Sequence, residues 1–242
     1  MDISTLQYIY IGLAAFLIGF SKTSIEVGIL AVLLLAMVFP GKASPGVVLP
    51  MLIAADIIAV IYYRRSCQWH VLVKLIPASA VGVLAGAVIL WALPDLNFER
   101  VIGWIILAML VFDLTLTSAA KQFIRGGGGA AGFGIVGGAS SMIANAAGPV
   151  FGIYLLQMGL NKVEFVGTRS WFFLIMNVAK LPFAIGLGLV TPQTLTLDAM
   201  AFPMILLGAV SGYVFLRLIN PQVFTALIRM AVLVAAFRLI FF

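Results

Sequence analysis

The sequence is short of charged residues, of histidine and of cysteine, and each shortage excludes a class of protein. Only 9% of its 242 residues are charged, against about 25% in a soluble globular domain. Cys67 is the only cysteine and His70 the only histidine, which excludes a disulfide within one chain, a cysteine-based metal site and bis-histidine haem ligation. No nucleophile–base pair stands out either, so the sequence predicts neither an enzyme nor a bound metal or cofactor.

What the chain has in excess is apolar residues, which make up 64% of it. A soluble protein of this composition would expose large apolar patches and aggregate, so the lipid bilayer is the solvent that fits. We therefore expect an all-α, polytopic membrane protein with about eight to ten membrane segments and no separate soluble domain. The N-terminal residues lack a basic region and a cleavage site, so the first apolar run is expected to belong to the mature protein.

Ten apolar runs divide the chain, and four of them, those at residues 6–20, 25–39, 129–145 and 149–160, are clearly shorter than the roughly 20 residues that a spanning helix needs. The runs cover residues 6–20, 25–39, 45–63, 69–93, 99–117, 129–145, 149–160, 164–188, 197–217 and 222–242. The four short runs form two neighbouring pairs, and polar residues separate the members of each pair. Irregular backbone at membrane depth is tolerated only where protein or a wet cavity surrounds it. We interpret the pairs as two re-entrant helical hairpins with tips meeting near the midplane; the alternative is four short, tilted full spans.

Two long segments resemble each other, at residues 76–90 and 202–216. Each has a proline, a glycine five residues later and another glycine four residues after that, namely Pro77, Gly82 and Gly86 in one and Pro203, Gly208 and Gly212 in the other. This match predicts two repeats, residues 1–120 and 129–242, joined by a Gly-rich connector at 121–128. Each repeat would hold one hairpin and three transmembrane helices, and that count inverts the second repeat relative to the first.

The net charge of +6 bears on orientation more than on a nucleic-acid partner, because the basic residues are scattered singly at segment ends. One set of loops holds most of them, which identifies its side as cytoplasmic by the positive-inside rule. These residues are Arg64, Arg65, Lys74, Lys121, Arg125, Lys162 and Arg217. Both termini are then expected outside the cytoplasm, and an inner-membrane location is expected for the whole chain.

The first break, GFSKTSIEVG at residues 19–28, is the first candidate site. A helix beginning there would present free N–H groups and a partial positive charge to an anion. The hydroxyls of Ser21, Thr23 and Ser24 would add hydrogen-bond donors, and Lys22 would add a full charge. The structural alternative is that Ser and Thr only cap a helix starting at residue 25 while Lys22 extends to water.

The second break, GGASSMIANAAGP at residues 137–149, occupies the matching place in the other repeat. Ser140, Ser141 and Asn145 are neutral donors there, and the surrounding glycines would let the backbone approach a ligand. The structural alternative is close helix packing through small residues. If the two hairpin tips face each other, both breaks would line one cavity.

Ionisable residues within spans are costly and are functional candidates for that reason. Asp56, Arg169 and Lys180 lie inside predicted spans, and Asn177 shares a helix face with Lys180. We expect Arg169, Asn177 and Lys180 to contact the substrate and Asp56 to carry protons; the alternative is a buried Asp56–Lys180 ion pair that fixes packing. Glu26 is a second candidate proton carrier, or only an acidic residue at the start of a helix.

The polar Gly-rich break after a first apolar run, its repetition in the second half and the paired Pro–Gly–Gly helices resemble the TauE/SafE sulfite exporter family, also called the 4-toluene sulfonate uptake permease family. The resemblance covers nearly the whole chain, although Lys22 and Glu26 make the first break less Gly-rich than is usual. It implies a bacterial inner-membrane secondary transporter, coupled to protons, for small sulfur-containing anions such as sulfite, sulfoacetate and related organosulfonates.

Two other functions remain open at this point. A passive anion channel could use the same cavity without coupling to protons. A membrane scaffold protein would need the glycines for packing alone and would bind no anion. The partners predicted for the transporter are a small anion, protons and the lipid bilayer, and no nucleic acid.

Overall fold

The structure, a computed structural model, describes residues 4–39, 43–92, 98–115, 124–144, 147–186 and 188–241. Within these ranges the regular structure is helical and there is no strand. The helices are α1 (Thr5–Thr23), α2 (Gly28–Val38), α3 (Ala43–Tyr63), α4 (Trp69–Ala92), α5 (Phe98–Thr115), α6 (Gly127–Ala144), α7 (Ala147–Gln157), α8 (Lys162–Gly186), α9 (Pro192–Leu218) and α10 (Pro221–Phe241). They correspond one to one to the ten apolar runs, and this confirms an all-α membrane protein.

Helix length separates the two members of each predicted hairpin. Within the described parts of the chain, four helices are long and apolar enough to cross a membrane, namely α1, α4, α9 and α10. The second member of each pair, α2 or α7, has only 11 residues, which is about 16 Å of helix against a hydrocarbon thickness of about 30 Å. The first members are longer, with 19 residues in α1 and 18 in α6, and α1 is long enough to span, so the expectation that both members of the first pair are too short is wrong for α1. The choice between re-entrant hairpins and full spans stays a prediction.

Local sequence explains where α1 and α9 begin. Ser4 and Gln7 form a capping box at the start of α1, in which each side chain accepts a hydrogen bond from the other residue's backbone N–H. Thr191 and Thr194 do the same for α9, and Pro192 occupies its first turn. Proline suits that position because the first-turn amides have no partner within the helix.

The chain forms two compact units, and each takes helices from both predicted repeats. Unit 1 comprises Met1–Cys67 and Arg169–Ile219, and unit 2 comprises Gln68–Thr168 and Asn220–Phe242. Unit 1 therefore holds α1, α2, α3, most of α8 and α9, and unit 2 holds the remaining helices. The repeat boundaries at residues 120 and 129 stay a prediction, since compact units need not follow a repeat. Gly127 and Gly128 of the predicted connector form the first turn of α6, and 121–123 lie outside the described residues.

The core of unit 1 joins α1, α2, α3 and α9 through small and branched apolar side chains. Its fully buried members include Ala14, Ile18, Leu35, Ala55 and Ile205. Because α2 follows α1 after a short connection and packs against it in this core, the two helices form an antiparallel hairpin. The charged residues of the first break lie at the turn of that hairpin.

In unit 1, α1 and α9 cross at glycines with no side chain between the two backbones. A Cβ atom added to Gly208 would collide with the carbonyl oxygen of Phe16, and one added to Gly212 would lie 2.6 Å from that of Phe20. The contacts advance in the same order along both helices, so α1 and α9 run parallel. We call this the α1/α9 crossing.

The α1/α9 crossing sets the depth at which α1 ends. Thr23, the last residue of α1, donates from Oγ1 to the carbonyl oxygen of Ala209 at 2.8 Å. From Ala209, α9 continues to Leu218, which is about 13 Å further along its axis. Because α9 has the length and composition of a membrane span, we expect the first break to lie within the depth of the membrane.

In unit 2, α4 and α6 cross in the same manner, and we call this the α4/α6 crossing. A Cβ atom on Gly82 would collide with the carbonyl oxygen of Ile135, and one on Gly86 would lie 3.1 Å from that of Ala139. Again the contacts advance in the same order, so α4 and α6 run parallel. Both Pro–Gly–Gly helices thus present their two glycines to the first helix of a predicted hairpin.

Candidate functional site

Most of the predicted site residues lie in unit 1. The structure brings six of them into one polar cluster at the end of α1, which we call the unit 1 cluster. Its members are Lys22, Glu26, Asp56, Arg169, Asn177 and Lys180. Ser140 and Ser141 belong to unit 2, and Asn145 lies outside the described residues.

The centre of the unit 1 cluster is a buried ion pair between α1 and α3. Lys22 Nζ lies 2.9 Å from Asp56 Oδ1, and Asn177 Nδ2 on α8 donates to Asp56 Oδ2 at 2.8 Å. Lys22 is 5% exposed and Asp56 is fully buried. The alternative in which Lys22 extends to water is therefore wrong, because its ammonium group is held inside the protein by the carboxylate.

An aromatic ring and a second lysine complete the surroundings of Lys22. The ring centroid of Phe173 lies 4.3 Å from Lys22 Nζ, close enough for a cation–π contact. Lys180 lies on the face of α8 that carries Asn177 and is within electrostatic range of both Lys22 and Asp56. The sequence analysis offered a buried Asp56–Lys180 ion pair as the structural alternative. That alternative did not include Lys22, which makes the direct contact with Asp56.

Arg169 closes the end of α1. Its Nη2 atom donates to backbone carbonyl oxygens of the last turn, those of Ser21 (2.5 Å), Lys22 (3.3 Å) and Ser24 (3.2 Å). Its Nη1 atom lies 3.3 Å from Glu26 Oε2. Carbonyl groups at a helix C-terminus lack partners within the helix and carry partial negative charge. Arg169, which is 1% exposed, compensates both that charge and the charge of Glu26.

The three hydroxyls predicted to bind an anion donate their hydrogens within the protein. Thr23 and Ser24 donate to backbone carbonyl oxygens, and Ser21 donates to a carboxylate. These hydrogen bonds run from Thr23 to Ala209 (2.8 Å), from Ser24 to Phe20 (2.6 Å) and from Ser21 to Glu26 (3.3 Å). Each hydroxyl has one hydrogen to donate, so in this arrangement the three side chains stabilise the break and offer no donor to a ligand.

The polarity of the first break also differs from the prediction. Ser21, Lys22 and Thr23 form the last turn of α1 and not the start of a helix. They lie at a helix C-terminus, where the partial charge is negative. The helix that does begin here, α2, starts at Gly28, whose N–H donates to Ser21 Oγ at 3.1 Å. The positive charge around Asp56 therefore comes from the side chain of Lys22 and not from the end of α1.

The polar residues of the second break, in unit 2, also lie at the end of a helix and not at the start of one. Ser140 and Ser141 are buried in the last turn of α6, and α7 begins at Ala147. The glycines before them pack closely, since a Cβ atom on Gly138 would collide with the backbone of Ser79. Close packing therefore accounts for Gly138, and a substrate role for Ser140 and Ser141 stays a prediction.

Two members of the site were missed by the sequence analysis. Phe173 lies midway between Arg169 and Asn177, four residues from each, so these side chains share one face of α8 with Lys180. That spacing was visible in the sequence. Tyr63, whose hydroxyl donates to the carbonyl oxygen of Thr23 at 2.9 Å, gave no such signal, because α3 and α1 meet only in the folded protein.

The unit 1 cluster is suited to a small oxyanion. Lys22, Lys180 and Asn177 provide N–H donors, and ammonium groups form strong charge-assisted hydrogen bonds with oxyanions. Among the described residues, no group of three or more His, Cys, Asp or Glu side chains could hold a metal ion.

Comparison with known proteins gives a family and no individual relative. No curated protein matches the chain, and no solved structure matches it. The family model described as sulfite exporter TauE/SafE matches residues 11–239, which is nearly the whole length of the chain. This family is one of membrane anion transporters and not of enzymes, and its match agrees with the apolar helices and the buried cations described above. The protein is thus a multi-pass membrane protein that belongs to the TauE/SafE sulfite exporter family.

Proposed function

We propose that the protein is a secondary transporter that moves sulfite, sulfoacetate or a related organosulfonate across the bacterial inner membrane by proton-linked alternating access. The observation that carries the proposal is the Lys22–Asp56 pair, buried at a helix break within the depth of the membrane. Ionisable residues at that depth mark substrate and proton pathways. The family match supports an anion as the substrate.

The Lys22–Asp56 pair suggests how an anion is held and released. A sulfonate or sulfite oxygen competes with the carboxylate of Asp56 for the ammonium group of Lys22. When the anion occupies Lys22, the carboxylate loses its strongest partner and its charge becomes costly in a buried site. Protonation of Asp56 removes that cost, and so links the binding of the anion to a proton.

Of the two predicted proton carriers, the geometry favours Asp56 over Glu26. Glu26 is held by Arg169 and by the hydroxyl of Ser21, and Arg169 also holds the end of α1. Displacing Glu26 would therefore disturb the hairpin itself. Among the described residues the polar partners of Asp56 are side chains, those of Lys22 and Asn177, and such partners can exchange without a change in the backbone.

The architecture proposed for this transporter is the pair of inverted repeats. It is supported by the two glycine crossings, in which α9 meets α1 and α4 meets α6 with the same spacing. Termini outside the cytoplasm follow from the distribution of basic loop residues. The idea that the tip of the second break shares the anion site stays a prediction.

Calorimetric titration of the purified protein with sulfite and sulfoacetate tests the site. We expect Lys22→Ala to lower affinity about ten- to a hundredfold, as is usual for the loss of a charged hydrogen bond. Lys74→Gln is the matched control, because Lys74 is exposed on α4 and its loss should leave affinity unchanged. Equal affinities for Lys22→Ala and the native protein would exclude this site.

Uptake into proteoliposomes tests the mechanism. A proton-linked transporter accumulates the anion against its own gradient when a pH gradient is imposed, and collapse of the pH gradient abolishes the accumulation. A passive channel only equilibrates the anion, with or without the pH gradient. Absence of any saturable binding or uptake would favour a scaffold protein.

A further inference from the structure

A groove in unit 2 runs between α5 and α10, and one arginine lies in its otherwise uncharged wall. The groove has a volume of about 680 Å³. Leu110 and Leu114 line it from α5, and residues between Pro221 and Leu233 line it from α10. Of the described residues that line the groove, Arg229 alone is charged, and its side chain is 37% exposed. The candidate site described above lies in unit 1 and contains none of these residues.

Arg229 is held through one of its nitrogen atoms and has two others to offer. Its Nε atom donates to Oδ2 of Asp113 at 2.8 Å, and the other oxygen of this buried carboxylate accepts a hydrogen bond from Gln157. The carboxylate therefore holds the guanidinium group in place. A guanidinium group has five N–H donors, and the contact with Asp113 uses the one on Nε. The four on the two Nη atoms have no partner among the residues that the structure describes.

These donors belong to a helix that is long and apolar enough to cross a membrane, since the spanning stretch of α10 covers Pro221–Arg238. N–H groups without acceptors are costly at membrane depth, so the surroundings of the groove must supply an acceptor. The side chain of a helical residue leans toward the helix N-terminus, and a long cationic side chain extends toward the membrane surface. The guanidinium group therefore reaches toward the start of α10. The basic residues Arg125, after α5, and Arg217, before α10, predict that this end is cytoplasmic.

A second arginine in unit 2 adds to the positive charge around Asp113. Arg125 Nε donates to the backbone carbonyl oxygen of Gln157 at 2.7 Å, and the side chain of Gln157 binds Asp113. In the part of the chain that the structure describes, Arg125 has no carboxylate partner within 4 Å. Two arginines thus accompany one carboxylate here, which favours an anion over a neutral ligand.

Polarity changes along the groove in the order found in a phospholipid. Gln222 and Thr225, seven and four residues before Arg229, line the groove near the start of α10 and share one face of the helix with it. Leu233, four residues beyond Arg229, forms the apolar end together with Leu110. We infer that the groove binds one anionic phospholipid of the cytoplasmic leaflet, which is rich in such lipids. Its phosphate accepts hydrogen bonds from the Nη atoms of Arg229, whose planar donors match two phosphate oxygens at once, and its acyl chain packs on the apolar end.

The apolar end of the groove and the Nη donors together select this occupant. A small inorganic anion would bind Arg229 but leave the apolar end uncovered. A second copy of the chain carries the same net charge of +6, which opposes association through a basic side chain. A phospholipid satisfies both parts of the groove. The inference concerns a lipid and not the transported anion, so it holds or fails independently of the proposed function.

Native mass spectrometry of the detergent-purified protein tests the lipid site. The protein is titrated with phosphatidylglycerol, with phosphatidylcholine of the same acyl chains, and with inorganic phosphate. We expect one phosphatidylglycerol to bind more tightly than phosphatidylcholine, whose head group has no net charge, and we expect inorganic phosphate not to displace it. Equal binding of the two lipids, or displacement by inorganic phosphate, would overturn the inference.

Two variants act on the two parts of the groove. Arg229→Gln should weaken phosphatidylglycerol binding about tenfold or more and remove the preference over phosphatidylcholine. Arg100→Gln is the matched control, because Arg100 is exposed near the opposite end of α5 and its loss should leave lipid binding unchanged. Ala226→Trp fills the groove while keeping the Arg229–Asp113 pair and should weaken the binding of both lipids, so it serves as the test should Arg229→Gln fail to fold.

Native affinity for phosphatidylglycerol in both Arg229→Gln and Ala226→Trp would contradict the inference. A dimer of the native protein that Arg229→Gln dissociates would also overturn it, because the groove would then hold a second copy of the chain.

Discussion

The two units contain the same kind of helix crossing, but the residues at the end of the crossing differ in charge. In unit 1 the α1/α9 crossing ends in a buried lysine, an arginine and two carboxylates. In unit 2 the α4/α6 crossing, which has the same glycine spacing, ends in the neutral residues Ser140 and Ser141. The same backbone geometry therefore supports charged side chains at one break and neutral ones at the other.

The largest expected difference in stability is between substitutions of the ion pairs in the two units. Arg169→Gln leaves Glu26 and the carbonyl groups of α1 without their partner in a buried site, at a cost of about 3–5 kcal/mol. Arg229→Gln in unit 2 should cost less, because Asp113 keeps a hydrogen bond from Gln157 and Arg229 is partly exposed. Thermal unfolding in detergent measures both variants. Equal losses of stability would contradict the role of Arg169 as the cap of α1.

The double variant Arg169→Gln/Glu26→Gln isolates the ion pair from the cap. It removes the unpaired carboxylate but leaves the carbonyl groups of α1 without a charged donor, so we expect it to recover only part of the lost stability. Full recovery would mean that Arg169 serves Glu26 alone.

The two crossings should respond alike to added volume. Gly208→Ala and Gly82→Ala each place a methyl group against a backbone carbonyl, and we expect each to cost about 1–3 kcal/mol. Gly132→Ala on α6 is the matched control, since a Cβ atom there meets nothing within 4 Å and alanine favours a helix. A strong effect in one unit and none in the other would show that the crossings are not equivalent.

The smallest change in stability is expected when the buried carboxylates away from the unit 1 cluster are replaced by amides. Asp198 in unit 1 has no hydrogen-bond partner among the described residues, whereas Asp113 in unit 2 has two, Gln157 and Arg229. Asp198→Asn should therefore raise stability by about 1 kcal/mol, because a buried charge without a partner is costly. Asp113→Asn should lower it. A drop in melting temperature for Asp198→Asn would reveal a role for its charge.

The positions of the helices were predictable because apolar runs mark them directly. The end of α1 was not. The polar run Ser21–Ser24 resembled a connection, yet Thr23 donates to a carbonyl of α9 and Arg169 binds the last carbonyls of α1, and these contacts extend the helix through the polar residues. Both partners are far away in sequence, so no local pattern could show them.

The members of the unit 1 cluster were predictable one by one, and their pairing was not. Asp56, Arg169 and Lys180 stood out because charge within a span is costly. Which cation meets Asp56 depends on how three helices pack, and the contact is with Lys22. The use of the Ser and Thr hydroxyls also depends on packing, because their acceptors are carbonyl groups that the sequence does not identify.

The glycine crossing has a consequence for how such a protein diversifies. Backbone meets backbone there, so the level at which α1 stops owes little to residues 22, 56, 177 and 180. Substitutions at those four positions can therefore change the charge at the break while the crossing that positions it is kept. The glycines of the crossing have no such freedom, because a Cβ atom added there would collide with backbone.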